Sequence, residues 1–147
     1  MYKSILIPTD GSELSGRAIR QGAELAKALG ARVTGLYVTP NFHMTVFEDF
    51  TPAYSRDKSK FEAAVAKASK KHLDVIAKAA REAGIACECI TRDSDFPYEA
   101  IIKAAEEMRS DLIVMASHGR KGVAGMVLGS ETQKVLTHSK VPVLVVR

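Results

Sequence analysis

The sequence predicts a doubly wound, Rossmann-like α/β fold, in which a five-stranded parallel sheet carries helices on both faces. Short apolar runs alternate with longer amphipathic stretches, and strands that are separated by helices pair in parallel. The runs LIVMA (112–116) and VPVLVV (141–146) are almost continuously apolar. Strands that are buried on both faces of a parallel sheet have this composition, so we expect both runs to lie within the sheet.

Length and composition favour an ordinary globular protein. The 147 residues are enough for one hydrophobic core and few for two, so we expect a single domain, 1–147. The net charge of +4 comes from basic residues interleaved with acidic ones, and aromatic residues make up 6% with no Trp. This composition does not favour a basic patch that would bind phosphates, and it offers few aromatic side chains on which bases could stack. We therefore expect no nucleic-acid partner.

Membrane insertion and export are not predicted either. No apolar stretch reaches the roughly 20 residues that span a bilayer, and the N-terminal MYKSILIPTDGS is too short an apolar segment for a signal peptide. Cys87 and Cys89 lie two apart on a predicted strand, where disulfide geometry is difficult, and no zinc-type spacing is present. We expect a reduced, cytoplasmic protein without a metal site.

The first half of the chain is predicted to hold two strands and two helices. Strand Tyr2–Pro8 ends at the turn Asp10-Gly11-Ser12, and either Asp10 or Ser12 caps a helix that Gly30 closes. A second strand covers Arg32–Val38, and a long helix runs from about Asp57 to Ala83. The predicted inner faces of the two helices are Leu14, Ala18, Gly22, Leu25 and Leu29, and Phe61, Val65, Ala68, His72, Ile76 and Ala79.

Residues 39–56 between these elements have no clear period and contain two prolines and three of the five phenylalanines. A long loop in a compact domain is often a lid or an interaction surface, and plain disorder is the alternative. The aromatic candidates for such a surface are Phe42, Phe47, Phe50 and Tyr54.

The second half of the chain is predicted to add three strands and two helices. The strands cover Ile85–Thr91, Asp111–Ala116 and Val141–Val146. One helix begins at Phe96-Pro97 with Pro97 in its first turn, and the other covers Ser130–His138. The residues expected to face inward from the first of these helices are Ile101, Ile102, Ala105 and Met108.

A ligand site is expected beyond the carboxyl ends of the strands, where the winding direction reverses. A strand order of 3-2-1-4-5 would make strands 1 and 4 neighbours at that point. The loop Pro8-Thr9-Asp10-Gly11-Ser12 follows strand 1, and the loop 117–130 follows strand 4. Both loops would then face one crevice.

The loop after strand 4 has the chemistry of an anion site. It holds four of the ten glycines within eleven residues, at positions 119, 122, 125 and 129, which indicates either close backbone approach to a ligand or a floppy loop. Gly129-Ser130-Glu131 opens a helix, whose N–H groups and dipole attract anions. Arg120 and Lys121 add positive charge. For Ser130, a plain N-cap is the alternative. The spacing fits neither a Walker A loop nor G-x-G-x-x-G.

These residues resemble the universal stress protein family, and the resemblance covers the whole chain. The nucleotide-binding branch carries G-x-x-G, nine residues and G-[ST]; here Gly119, RKGVAGMVL and Gly129-Ser130 match the later part. The segments ILIPTDGS, MASHGR, LGSETQKVL and VPVLVV are also typical of the family. The first glycine of the pattern is replaced by Ala116. Because a β-region backbone admits one methyl group, we expect weakened rather than abolished binding.

The resemblance implies an adenine nucleotide, ATP or AMP, with Mg²⁺ as a candidate companion ion. By the same resemblance, Asp10 in the Pro8-Thr9-Asp10 loop would reach the adenine and Val38 would frame it. The residues implied along the ribose and phosphates are Ala116, His118, Gly119 and Arg120, followed by Gly129, Ser130 and Glu131 at the phosphates. Without the resemblance, Val38 reads as core, His118 as a loop residue and Asp10 as a turn or cap.

Three functions remain open at this stage. The leading one is a dimeric, nucleotide-binding regulatory protein of stress adaptation with an unidentified protein partner, pairing through its C-terminal strand. The second is a nucleotide-independent interaction module of the same family. The third is a slow ATPase or nucleotide-dependent transferase. Related folds that cleave ATP carry S-G-G-x-D-S after strand 1, where this chain has TDGSELS, so we predict no catalytic residues.

Overall fold

The computed structural model describes residues 1–42, 58–120 and 128–147. Strands and helices alternate throughout these residues. In chain order the elements are β1 Ser4–Thr9, α1 Glu13–Leu29, β2 Arg32–Thr39, α2 Lys58–Ala83, β3 Cys87–Asp93, α3 Pro97–Glu107, β4 Leu112–Ala116, α4 Ser130–His138 and β5 Val143–Val146. None of these helices is long and apolar enough to cross a bilayer.

The five strands form one parallel sheet in the order β3-β2-β1-β4-β5. The predicted fold class and strand order are therefore confirmed. β1 pairs with β2 on one side, where Ile5 faces Val33, and with β4 on the other, where Ile5 faces Leu112. The winding reverses between β1 and β4, so their carboxyl ends flank the crevice expected of this topology.

Helices cover both faces of the sheet. On one face, Ile7 of β1 and Val114 of β4 belong to a buried cluster with residues of α1 and with Ile76 of α2. On the other face, Leu6 and Ile113 pack with residues of α3 and α4. Because each central strand is buried on both faces, β1 and β4 are apolar at nearly every position.

Several strands begin later than the sequence predicts. Ile85 was predicted to open β3, but its N–H bonds to the Ala80 carbonyl (3.0 Å) as part of the turn that ends α2, in which Gly84 has a φ of +72°. Such a left-handed C-terminal turn uses the residues that follow the helix, so β3 starts at Cys87. At β1, the Asp111 carboxylate accepts the N–H groups of Lys3, just before the strand, and of Ser4, its first residue.

The inner face of α1 is rotated relative to the predicted leucine stripe. Its buried residues are Ser15, Ala18, Ile19, Gly22, Ala23 and Ala26, whereas Leu14, Leu25 and Leu29 are half-buried at the margin. Small residues let the helix approach the sheet closely: a Cβ at Gly22 would lie 2.6 Å from Ile7 Cδ1. Ala18 and Gly22 are thus buried as predicted, and the three leucines are not.

In the later helices Phe61, Ile76, Ile101 and Ala105 are buried as predicted, and the other residues predicted to face inward are only half-buried. The buried residues of α2 are Phe61, Ser69, Ile76 and Ala80, and those of α3 are Ala100, Ile101, Ala104 and Ala105. His72 is instead half-buried at the edge of α2. Of the aromatic residues proposed for a lid, Phe47, Phe50 and Tyr54 lie outside the described residues.

β5 is an edge strand. The prediction that both of its faces are buried is wrong for the single chain. Val146 is buried, but the Leu144 side chain is 42% exposed. The sheet ends at β5, so this strand has a neighbour on one side only. An apolar edge strand of this kind is a surface on which a second strand can pair.

Candidate functional site

A cavity of about 670 Å³ opens at the carboxyl ends of β1, β2 and β4. All eleven residues that the sequence analysis selected line it. They are Pro8, Thr9, Asp10, Val38, Ala116, His118, Gly119, Arg120, Gly129, Ser130 and Glu131. The loops after β1 and β4 therefore face one crevice, as the topology predicts.

The cavity also has lining residues that sequence reasoning missed. They are Ser15, Tyr37, Asp95, Pro97, Ile101, Met115 and Thr132. Tyr37 and Met115 come at or next to strand ends, a position that could have identified them. Ile101 was assigned to the core, and it indeed belongs to the buried cluster under α3 while also closing one wall of the cavity. No local sequence signal distinguishes that double role.

Asp10 ties the two loops together. One carboxylate oxygen accepts the Ser12 N–H (2.9 Å) and the other accepts the Arg120 N–H (2.9 Å) across the crevice. Burial raises the pKa of Asp10, but the hydrogen bonds from Ser12, the Arg120 backbone and Ser15 together outweigh it and lower the pKa below 3.8. The carboxylate is therefore charged at neutral pH and fixes the loop after β4 against the end of β1.

Gly119 makes room for this contact. A Cβ placed on Gly119 would lie 2.3 Å from the nearer Asp10 oxygen, far inside van der Waals contact. The sequence analysis explained Gly119 by close approach of the backbone to a ligand. In the structure, the group that approaches this backbone is the Asp10 carboxylate.

Arg120 is held by a histidine that the sequence analysis treated as core. Its guanidinium Nη2 donates to His72 Nε2 on α2 (2.9 Å), so the His72 ring accepts at this nitrogen and is neutral. Burial and the nearby Arg120 charge lower the pKa of His72 below 6.5. The ring also packs on Tyr37, with the centroids 5.0 Å apart. This contact positions the Arg120 charge at the edge of the cavity.

The first turn of α4 forms the opposite wall. Gly129 is the N-cap, with φ −71° and ψ 155°, and Ser130 is the first helical residue. The alternative in which Ser130 itself is a plain N-cap is therefore wrong. The N–H groups of the first turn have no acceptor within the helix, and the helix dipole makes this end positive. Thr132 Oγ1 donates to the Ala116 carbonyl (2.9 Å), which fixes this turn to the end of β4.

Gly129 has a packing role at this turn. Its N–H donates to the Ser117 carbonyl (2.7 Å), and a Cβ at Gly129 would lie 3.1 Å from His118 Cα. A side chain here would press on the His118 backbone. This side chain would act through the His118 backbone and not by entering the anion site directly.

The Glu131 side chain is engaged away from the first turn of α4. One of its oxygens accepts the N–H of Tyr98, in the first turn of α3 (2.8 Å), and the other contacts Lys134 Nζ (3.2 Å). The carboxylate thus compensates the amino end of α3. In the described ranges 1–42, 58–120 and 128–147, no three or more His, Cys, Asp or Glu side chains cluster in a way that could hold a metal ion.

The free energy of unfolding should fall as the pH drops below 6.5. The pKa of His72 is lowered in the folded chain, so the unfolded chain binds this proton first and protonation favours unfolding. His72→Gln should flatten the pH dependence between pH 7 and 5, because it removes this proton-binding group. Urea denaturation at a series of pH values measures the free energy of unfolding of both proteins. An identical pH dependence in the variant and the wild type would contradict the lowered pKa of His72.

Fold and site define a doubly wound α/β protein with a ligand-sized cavity at its topological switch point. The sequence model described as "Universal stress protein family" matches residues 1–147. A universal stress protein from Thermus aquaticus is 33% identical over 147 residues, with both chains covered completely. The chain belongs to the universal stress protein family, which confirms the resemblance.

Solved structures agree with this assignment. The Methanocaldococcus jannaschii protein MJ0577 is 31% identical and superposes with a TM-score of 0.78, covering 99% of this chain and 96% of the other. A universal stress protein solved in complex with cAMP is 27% identical, with a TM-score of 0.73 and coverage of 99% and 97%.

Proposed function

We propose that this chain binds an adenine nucleotide, ATP or AMP, in the cavity between β1 and β4 and acts as a regulatory protein in stress adaptation. The observation that carries the proposal is the pairing of an apolar wall with an anion-attracting wall in one cavity. The first turn of α4 and Arg120 supply the second wall. The relative in complex with cAMP supports the same ligand class.

The proposed orientation follows from the chemistry of the two walls. The base lies against Val38, Ile101 and Met115, because apolar contacts suit its faces. The ribose and phosphates follow Ala116, His118 and Gly119 toward α4. There, the backbone N–H groups of Gly129, Ser130 and Glu131 and the Ser130 hydroxyl bind the phosphates.

Asp10 takes the adenine end in this proposal, with Pro8 and Thr9 of the same loop beside it. Its carboxylate already accepts two backbone N–H groups, and a carboxylate has lone pairs for further donors such as an exocyclic amino group. Mg²⁺ would be held mainly by the phosphates, as is usual for this ion.

Hydrolysis of the nucleotide is the less favoured alternative. The Glu131 carboxylate accepts the Tyr98 N–H, and the lowered pKa of Asp10 makes it a weak base at neutral pH. We therefore propose a binding role in the cytoplasm without dedicated catalytic residues. Denaturing the purified protein and identifying the released nucleotide by mass spectrometry tests the proposal; ATP or AMP at about one per chain is expected, and an empty protein that takes up neither would contradict it.

We also propose that two copies of the chain pair through β5 and that a further protein partner binds the dimer. Pro142 and Val146 carbonyls bond back to β4. Because bonding alternates along a parallel strand, the N–H groups of Val143 and Val145 point to the open edge. The exposed Leu144 side chain adds apolar surface beside that edge.

Val145→Pro should convert the dimer to a monomer. Proline removes an N–H that the single chain does not use, and edge strands tolerate it. Val145→Thr keeps the N–H and the branched shape, so it should remain dimeric. Sedimentation velocity measures the oligomeric state of the two variants and the wild type. A protein concentration of about ten micromolar is suitable, because Kd values of this order separate specific dimers from weak contacts. A monomeric wild type would contradict the proposed pairing.

A further inference from the structure

Two thiols lie side by side at the edge of the sheet formed by β3. Cys87 Sγ and Cys89 Sγ are 4.0 Å apart, and both residues are exposed. They share a face because side chains two positions apart on a strand point the same way. The edge strand therefore presents two soft donor atoms to solvent.

The neighbouring elements hold this pair in position. Cys89 lies beside Gly35 of β2, where a Cβ would come within 3.3 Å of its sulfur. Its thiol also contacts the Leu73 carbonyl of α2 at 3.7 Å. The absent side chain at Gly35 leaves space for the sulfur, so packing on β2 and α2 fixes the position of the Cys89 sulfur.

The two thiol groups are hydrogen-bonded to each other. The hydrogen bond from Cys89 lowers the pKa of Cys87 to about 7, with help from the Gly35 N–H. The same interaction raises the pKa of Cys89. The thiolate is the form that binds metal ions, so a cation that binds this pair displaces the protons of the two thiols.

Closure to a disulfide is a poor alternative for this geometry. Residues two apart on an extended strand have Cα atoms about 6.7 Å apart, from a rise of about 3.3 Å per residue, which is the upper end of the disulfide range. Bridging the sulfurs would require β3 to bend away from its pairing with β2, where Cys87 faces Val33 and Cys89 faces Gly35.

A metal ion fits between the sulfurs without such bending. Two metal–sulfur bonds of about 2.3 Å enclose an angle of about 120° when their sulfurs are 4.0 Å apart. Zinc sites in proteins have three or four protein ligands, and no His, Cys, Asp or Glu in the described part of the chain completes a set of three. Soft cations of low coordination number, above all monovalent copper, accept thiolate pairs.

We propose that Cys87 and Cys89 form a two-thiolate site for a soft monovalent cation, with Cu⁺ as the reference ligand. Binding forms two Cu–S bonds and releases to solvent the protons that the two thiols hold, with no change of oxidation state. The Glu88 side chain on the same strand adds negative charge near the site. The site is independent of the nucleotide cavity.

The test is an anaerobic competition for Cu⁺ between the protein and a chromophoric chelator, in a reductant that is not a thiol. The wild type is expected to withdraw one Cu⁺ per chain. Cys87→Ser and Cys89→Ser should each bind Cu⁺ roughly 10²–10⁴-fold more weakly than the wild type. A single thiolate lacks the increase in affinity that two linked ligands give. Both positions are exposed, so circular dichroism should show unchanged folds.

A matched control keeps two thiols but separates them. Cys89→Ser combined with Thr91→Cys places the second thiol on the same face of β3, four residues from Cys87. This protein should bind like the single-serine variants. If the chelator keeps its copper against the wild type, or if the separated pair binds as tightly as the native pair, the proposed site is wrong.

Discussion

Replacing Gly129 with Val is expected to weaken nucleotide binding at least about a hundredfold, or about 2.8 kcal/mol. A Cβ at this position would already lie 3.1 Å from His118 Cα and 3.4 Å from the Ser117 carbonyl oxygen. The branched side chain must displace the first turn of α4 from the end of β4. The N–H groups of that turn would then lose their alignment on the phosphates.

Two further variants separate local geometry from general damage. Gly129→Ala requires a shift of only a few tenths of an ångström and should give an intermediate loss. Gly16→Val is the matched control, because the nearest atom to a Cβ at Gly16 is Arg20 Nη1 at 3.9 Å; binding should be unchanged. Calorimetric titration with ATP gives the affinities, and circular dichroism verifies folding. Equal ATP affinity in Gly129→Val and the wild type would show that the first turn of α4 does not bind the phosphates.

Gly119→Ala is expected to be the second most damaging change, through Asp10. The carbon of the new methyl group would lie 2.3 Å from an Asp10 oxygen, which is far inside van der Waals contact. The Asp10 carboxylate would have to move, and its hydrogen bond from the Arg120 N–H would be lost. Hydrogen bonds to charged groups contribute about 1.5–3 kcal/mol. We expect a loss of that order in the free energy of unfolding and at least about tenfold weaker binding of ATP, or about 1.4 kcal/mol.

A double-mutant cycle identifies the mechanism of this loss. If Gly119 acts by admitting the Asp10 carboxylate, Gly119→Ala should add little once Asp10 is replaced by Gly. Urea denaturation and ATP titration of the two single variants and the double variant measure the coupling. Additive losses would show that Gly119 works independently of Asp10, for example by direct contact with the ligand.

The sequence predicts the topology well because local patterns and chain connectivity determine it. Strands that alternate with helices allow few arrangements, and the apolar runs of β1 and β4 identify the central strands. The same reasoning brings the loops after these strands to one crevice. Every selected site residue lines the cavity, although contact between these residues and a nucleotide stays a prediction.

Side-chain partners and packing depth were harder to predict. The bonds from the Arg120 N–H to Asp10 and from the Arg120 guanidinium to His72 join residues 110 and 48 positions apart. No local pattern encodes such distances. The leucines predicted for the buried face of α1 lie at its margin because the close approach of Gly22 to Ile7 places the small residues of the helix deepest. Gly122 and Gly125 of the predicted glycine cluster lie outside the described residues.

Titration of ATP and of AMP into nucleotide-free wild-type protein tests the central claim most directly. The protein must first be stripped of bound nucleotide by denaturation and refolding, with circular dichroism as the check on the refolded state. Saturable binding of at least one of the two ligands, at one per chain and with a marked loss in Gly129→Val, is the predicted result. A correctly folded protein that binds neither ligand would contradict the account and favour the nucleotide-independent interaction module.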